Sequence, residues 1–250
     1  MEYFMKRLYS AWILVILLLS CSRETNFDYP ISPVTFTQVK LTDQFWGPRI
    51  ETNRLVTIPS AFRKCEETGR VANFDIAAGQ QQGEFQSQFP FDDSDVYKII
   101  EGASYSLSTH YDAELDHYVD TLIEKIAAAQ EDDGYIMTWR TINPQKPPTS
   151  WSGTAERWSD IGGGHELYNA GHMYEAAVAH WMATGKRTFL NVAIKNADLI
   201  AGVFGPGKLM MPPGHEEVEI GLIKLYRATN DKKYFDLAKF FIDQRGNRAG

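Results

Sequence analysis

Two histidines, His165 and His172, stand seven residues apart in GGGHELYNAGHMYEAAVAHW, residues 162–181. On a helix that spacing is almost two turns, so both imidazoles project from one face, with Glu166 set off to one side. An imidazole in such a place can chelate a metal, hydrogen-bond a polar ligand or simply pack. The pattern is not the H-E-x-x-H of zinc hydrolases, because Asn169 stands where the second chelating histidine belongs. Three glycines ahead of His165 permit close backbone approach to a ligand. His172, among Met173, Ala176, Ala177 and Val178, reads instead as a core histidine. A third histidine, His215, follows Gly214 and opens a helix whose Glu216, Glu217 and Glu219 include carboxylates favoured by the helix dipole. Two further acidic groups carry chemical potential: Asp92, Asp93 and Asp95 in FDDSD, and Asp132 with Asp133 in EDDGY. Clustered carboxylates suit general acid and base work or calcium, and directly ahead of a helical run they equally make an N-terminal cap.

Helices must position these residues, since the apolar period is helical over most of the chain. Leu55, Ile58, Ala61, Phe62 and Cys65 fall on one face that closes at Gly69. Val96, Ile99, Ile100, Ala103 and Leu107 form a second, with Asp93 or Ser94 as its cap. Leu115, Val119, Leu122, Ile123 and Ile126 form a third, and the short link at Tyr111 and Asp112 makes the pair an antiparallel hairpin. Val34 to Phe45, rich in β-branched residues, reads as one strand or an extended lead-in.

The second half repeats itself: Ala183-Thr184-Gly185-Lys186 recurs 45 positions on as Ala228-Thr229-Asn230-Asp231, each between two helical runs. About seven helices from Leu55 to Gln244, arranged as hairpins, predict an all-α helical array or closed toroid. The long segments 79–95, 131–160 and 204–217 carry aromatics, carboxylates and His215, and in a toroid such loops gather at one mouth.

Net charge is −7 with 44% apolar and 13% aromatic residues. That balance excludes disorder and gives a nucleic-acid partner no electrostatic support, while a neutral substrate fits. Residues 1–20 read as an export signal, with Lys6 and Arg7 ahead of an apolar run too short to span a bilayer. Leu18-Leu19-Ser20-Cys21 resembles the lipobox of bacterial lipoproteins, making Cys21 the lipid attachment point of an exported, membrane-anchored protein. Residues 21–33 then form a tether and 34–250 the folded body. With Cys21 committed, Cys65 is the remaining thiol, and it reads as a half-buried small hydrophobe.

FDDSDVYKIIEGASYSL, AAAQEDDGYI, HELYNAGHMYEAAVAHWMATGK and PPGHEEVEIGLIKLYRATNDKKYFDLAKFFIDQRG together resemble the catalytic domain of glycoside hydrolase family 127, the β-L-arabinofuranosidase-like proteins. The resemblance runs from about Val39 to Gly246. It implies an (α/α)6 barrel, incomplete in this chain, and hydrolysis of terminal L-arabinofuranosyl or related residues of plant-type glycans. It also implies that His165 and His215 contact the sugar, with Gly214 beside them, while His172 is structural. Pro213 stands where the family pattern has an aspartate, so a side-chain contact is not expected there. Asp93 and Asp95 are candidate additional residues of the mouth.

The family's nucleophile is a zinc-bound cysteine thiolate, expected downstream of the segment present here. The resemblance therefore implies zinc for a complete domain, no metal or other cofactor within this chain, and no turnover by these 250 residues alone. Two other readings stay open: a carboxylate-pair hydrolase or lyase using Asp93 or Asp95 with Glu216, and a non-catalytic surface glycan-binding lipoprotein with Trp139, Trp151 and Trp158 as stacking platforms.

Overall fold

The structure is a computed structural model that describes residues 31–149 and 153–246. The expected export signal, Cys21, most of the expected tether and Trp151 lie outside the described residues. The chain divides into two compact units, Met1–Thr35 and Phe36–Gly250. In the first, residues 31–35 are exposed. The second holds all of the helices below.

Its α-helices are α1 (Trp46–Thr52), α2 (Ile58–Glu67), α3 (Ala72–Ala77), α4 (Asp93–Thr109), α5 (Ala113–Ala129), α6 (Thr138–Ile142), α7 (Glu166–Thr184), α8 (Thr188–Val203), α9 (Glu217–Thr229) and α10 (Lys232–Gln244). The described residues contain no β-ladder, only an isolated bridge between Phe204 and Leu209. The strand expected within Val34 to Phe45 is absent: a single 3-10 turn, Phe36–Gln38, sits in otherwise irregular chain. Val34, Val39 and Leu41 are exposed, and without a neighbouring strand to pair with the segment takes the extended lead-in form that the sequence also allowed.

The first helical face also departs from expectation. Ile58, Phe62 and Cys65 are buried, but Leu55 is exposed. Asn53–Thr57 form a π turn, whose wider repeat rotates Leu55 off the stripe set by α2. At the start of α4 neither Asp93 nor Ser94 caps; the N-cap position is Asp92, which makes no side-chain capping bond. Asp112 does cap α5, its carboxylate accepting from the amides of Glu114 and Leu115.

The 45-residue repeat corresponds to a repeated turn. Gly185 and Asn230 both adopt left-handed backbone at φ 75° and 59°. Thr184 Oγ1 donates to the His180 carbonyl at 2.7 Å and accepts from the Lys186 amide at 3.1 Å. Thr229 Oγ1 makes the same two bonds, to the Leu225 carbonyl at 2.8 Å and from the Asp231 amide at 3.2 Å. Past each turn an aromatic residue, Phe189 or Tyr234, is buried at the start of the next helix, followed one turn on by Ala193 or Ala238.

These hairpins stack into two layers: α7 lies between α4 and α9, and α5, α8 and α10 form the row behind. Val96, Ile100, Met173, Tyr174, Phe189, Leu222 and Phe241 fill the space between the layers. α7 and α9 approach backbone to backbone. A Cβ on Gly171 would lie 2.5 Å from the Glu217 carbonyl carbon, and one on Gly221 would lie 2.7 Å from the Gly171 oxygen. Only glycine admits that crossing, and the crossing brings the starts of α7 and α9 side by side.

Candidate functional site

His165 occupies the N-cap position of α7 with left-handed backbone, φ 60°. A non-glycine residue in that region is strained, and such strain concentrates where surrounding structure fixes a functional group. The preceding turn is held by Asp160, whose Oδ1 accepts from the Gly163 amide at 2.8 Å and whose carbonyl accepts from Gly164 at 2.9 Å. His165 Nδ1 lies 2.5 Å from the Gly163 carbonyl oxygen, so that nitrogen carries the proton and Nε2 is left as an acceptor.

Nε2 of His165 faces Nε2 of His215 at 3.3 Å. Of the two, only His215 has a free choice of tautomer, so its Nε2 supplies the proton. Burial pushes the His165 pKa down, the Gly163 bond opposes this, and the charge His215 can carry lowers it further; the result is a depressed value and a neutral ring. The His215 loop is clamped from α10: Arg245 donates to the His215 carbonyl at 2.7 Å and pairs with Glu216 and Glu219.

Gly214 has a packing role of its own. A Cβ there would lie 2.1 Å from the Gly162 carbonyl oxygen, and its amide donates to the Ile161 carbonyl at 3.3 Å. Close backbone approach at these glycines thus joins the two histidine-bearing loops to each other.

Around the histidine pair lie residues that the pattern of carboxylates and histidines did not single out. The Tyr168 ring sits 5.0 Å from His215, 5.6 Å from His165 and 4.5 Å from His172. Lys98 from α4 donates to the Tyr168 hydroxyl at 2.7 Å. Phe91 stacks on His165 with centroids 4.2 Å apart and planes at 23°. Helical spacing contained a signal for Tyr168, one turn beyond His165; nothing local signalled Phe91 or Lys98, which arrive from another helix and its lead-in.

His172, expected as a satisfied structural histidine, has a polar partner from the neighbouring helix. Its Nδ1 lies 3.0 Å from Glu217 Oε1, across the α7–α9 crossing. Glu217 in turn contacts Glu175, whose pKa burial and that contact push up to about 7. Lys224 bridges Glu175 and Glu101. The polar wall therefore continues from the histidine pair down the inner face of α7.

The acidic candidates have other partners. Asp93 is buried and turned toward α6, accepting from the Thr138 amide at 2.8 Å and its hydroxyl at 2.5 Å. Asp95 pairs with Arg70 at 2.8 Å, Asp92 with Arg70 at 3.1 Å, and Glu216 with Arg245 at 3.1 Å. Asp133 and Glu131 are both held by Arg157. An acid and base pair built from Asp93 or Asp95 with Glu216 would require groups already engaged in these ties.

Glu166 proves structural. Its buried carboxylate accepts from the Tyr135 hydroxyl at 2.6 Å and the Trp158 amide at 3.0 Å, and it pairs with Arg140 at 3.1 Å. Trp158 packs edge-on against Tyr135 and Phe204, and Trp139 against Phe85. Two of the three tryptophans expected as platforms are thus packing residues, and Trp151 lies outside the described residues.

A thiolate-bound zinc does not fit the described residues. Cys65 is 3% exposed, and burial raises its thiol pKa to about 11, the opposite of an activated or metal-bound sulfur. Two clusters have metal-like spacing, Asp116 with Asp120 and His180, and His172 with Glu175 and Glu217. Each already holds a lysine ammonium: Lys186 bonds Asp116 and Asp120 at 2.7 and 2.6 Å, and Lys224 pairs with Glu175.

The profile of the β-L-arabinofuranosidase GH127 catalytic domain matches residues 38–249. The chain belongs to family GH127. It is 42% identical over 178 residues to the non-reducing end β-L-arabinofuranosidase of Bifidobacterium longum subsp. longum, a match covering 70% of this chain and 26% of that protein. A solved GH127 β-arabinofuranosidase superposes with a TM-score of 0.81 at 54% identity, over 89% of this chain and 35% of that one. The GH127 β-L-arabinofuranosidase Ara127N of Geobacillus stearothermophilus T6 does so with a TM-score of 0.78 at 40% identity, over 84% and 33%. The chain thus spans about a quarter to a third of the length of these GH127 relatives.

Proposed function

We propose that this chain supplies the sugar-gripping wall of a β-L-arabinofuranosidase-like glycoside hydrolase acting on terminal L-arabinofuranosyl residues of plant-type glycans. The observation that carries the reading is the His165–His215 pair, with Nε2 atoms 3.3 Å apart. The His215 donor nitrogen and the His165 acceptor nitrogen it faces together match a hydroxyl, which comes between them, accepting from one and donating to the other. A His165 ring held neutral by burial suits an uncharged sugar better than an anion. Tyr168 and Phe91 fix the two imidazoles from the side, which keeps the ordering cost of binding low.

In this reading the chain's own residues bind and orient the furanose, while burial holds Cys65 as a thiol, its pKa raised to about 11, which disfavours it as a thiolate nucleophile. Support for an envelope location is the sequence alone: Lys6 and Arg7, the apolar run, and Leu18-Leu19-Ser20-Cys21 make this a lipoprotein anchored through Cys21.

Titration with methyl β-L-arabinofuranoside tests the assignment. Binding should move the imidazole C–H resonances of His165 and His215, and His165→Ala or His215→Ala should weaken it by roughly tenfold. Equal affinity in wild type and both variants would remove the assignment.

A further inference from the structure

One aromatic run leads out of the histidine pair to solvent. His165 stacks on Phe91, and Phe91 stacks on Phe89 with centroids 5.4 Å apart and planes at 11°. Phe89 is 39% exposed, so one side of its ring faces Phe91 while another part is open. Exposure alone would not distinguish it, since Phe45 and Trp46 are more exposed and pack edge-on against each other. Phe89 differs in being the outer end of a stack whose inner end is His165.

The ridge is held rigidly. Phe89 donates its amide to Asp92 Oδ2 at 3.1 Å and accepts from the Asp92 amide at 3.1 Å. Asp92 is itself buried and paired with Arg70 at 3.1 Å. Pro90, between the two phenylalanines, is buried and limits the backbone further. An aromatic face fixed before binding loses little entropy when a ligand covers it.

We infer that Phe89 is the platform for a second sugar ring, the unit to which the terminal furanose is linked. This rests on the proposed furanose site at His165 and His215. A glycan whose last unit is held by that pair has to leave through the mouth, and the Phe91–Phe89 stack is a continuous surface from His165 outward. Sugar rings present C–H groups of partial positive charge on their faces, which complement the negative face of a phenyl ring. A phenyl ring carries no hydrogen-bonding group, so the platform accepts a ring by shape and leaves selection of the terminal sugar to the histidines.

The test compares methyl β-L-arabinofuranoside with a β-L-arabinofuranosyl-arabinofuranose disaccharide, each titrated into the full chain while histidine resonances are followed. Wild type should bind the disaccharide roughly three- to tenfold more tightly. Phe89→Ala should remove that advantage and leave the single-ring affinity and the unfolding midpoint unchanged, while Phe89→Trp should keep it. If Phe89→Ala melts early, Phe89→Leu retains bulk against Phe91 without an aromatic face, and the same loss is expected. A disaccharide advantage that survives both variants, or none in wild type, overturns the platform and leaves the furanose site standing. Failure of both sugars to shift His165 or His215 overturns the furanose site, and the platform with it.

Discussion

His165 and His215 meet nitrogen to nitrogen across 3.3 Å, with the left-handed backbone of His165 aiming one ring at the other. Two imidazoles so placed cannot both be charged without repulsion, and burial already holds the His165 pKa below its ordinary 6.5. The unfolded chain therefore takes up this proton first. The contribution to stability is present above about pH 6.5 and is lost as pH falls through the folded value. Sugar affinity should fall over the same range, because protonation removes the acceptor at Nε2. Denaturant midpoints and arabinofuranoside titrations between pH 7.5 and 5 measure both effects, and His165→Gln should flatten them.

Asp93 behaves with the opposite sign. Burial raises its pKa to about 6 against the pull of two Thr138 hydrogen bonds, with the neighbouring Asp92 charge adding to the rise. A folded value above the unfolded 3.8 gives stability that is fully present below that pH and lost as pH rises through about 6. Asp93→Asn keeps an acceptor for the Thr138 amide and cannot ionise, so its stability relative to wild type should increase from pH 4 to pH 7. Thermal melts of the two proteins across that range decide it.

The glycine crossing makes a prediction about both stability and the site. Gly171→Ala drives a methyl group into the Glu217 backbone, where relief requires moving the start of α9. The cost should be about 3 kcal/mol, and sugar affinity should drop with it, because His215 immediately precedes α9. Gly102, in α4, would place a Cβ in open space, so Gly102→Ala should stabilise by about 0.5–1 kcal/mol. Urea denaturation of both variants gives the contrast.

Helical period and turn chemistry were legible in the sequence because they are local. The buried stripes of α4 and α5 follow from spacing alone, and the 45-residue repeat encodes the same threonine hydrogen bonds at Gly185 and Asn230. What was not legible depends on partners distant in the chain. Asp93 looks like a cap until Thr138, 45 positions away, claims it. His172 looks like a core residue until α9 brings Glu217 beside it. Leu55 misleads for a local reason, since a π turn is invisible to a 3.6-residue period. The proximity of His165 to His215 was expected from the family resemblance, and the glycine contacts supply its physical cause.

Glu166 is adjacent to His165 in sequence, yet its role is to anchor the long loop over the start of α7. Its carboxylate collects the Tyr135 hydroxyl, the Trp158 amide and the Arg140 guanidinium, while Arg140 also donates to the Thr154 and Ala155 carbonyls at 3.2 and 2.8 Å. Removing one partner of a buried pair leaves the other charged and uncompensated, which costs about 3–5 kcal/mol. Glu166→Ala should therefore destabilise the fold by that order and accelerate amide exchange first in residues 153–160. Glu166→Gln retains an acceptor for Tyr135 and Trp158 but not the charge, so its loss should be smaller. Equal losses would mean that the ion pair, rather than the hydrogen bonds, holds the loop. Because His165 is the next residue back, Glu166→Ala should also loosen the left-handed turn and reduce sugar affinity, whereas a change on the outer face, such as Lys239→Ala in α10, should leave affinity unaltered.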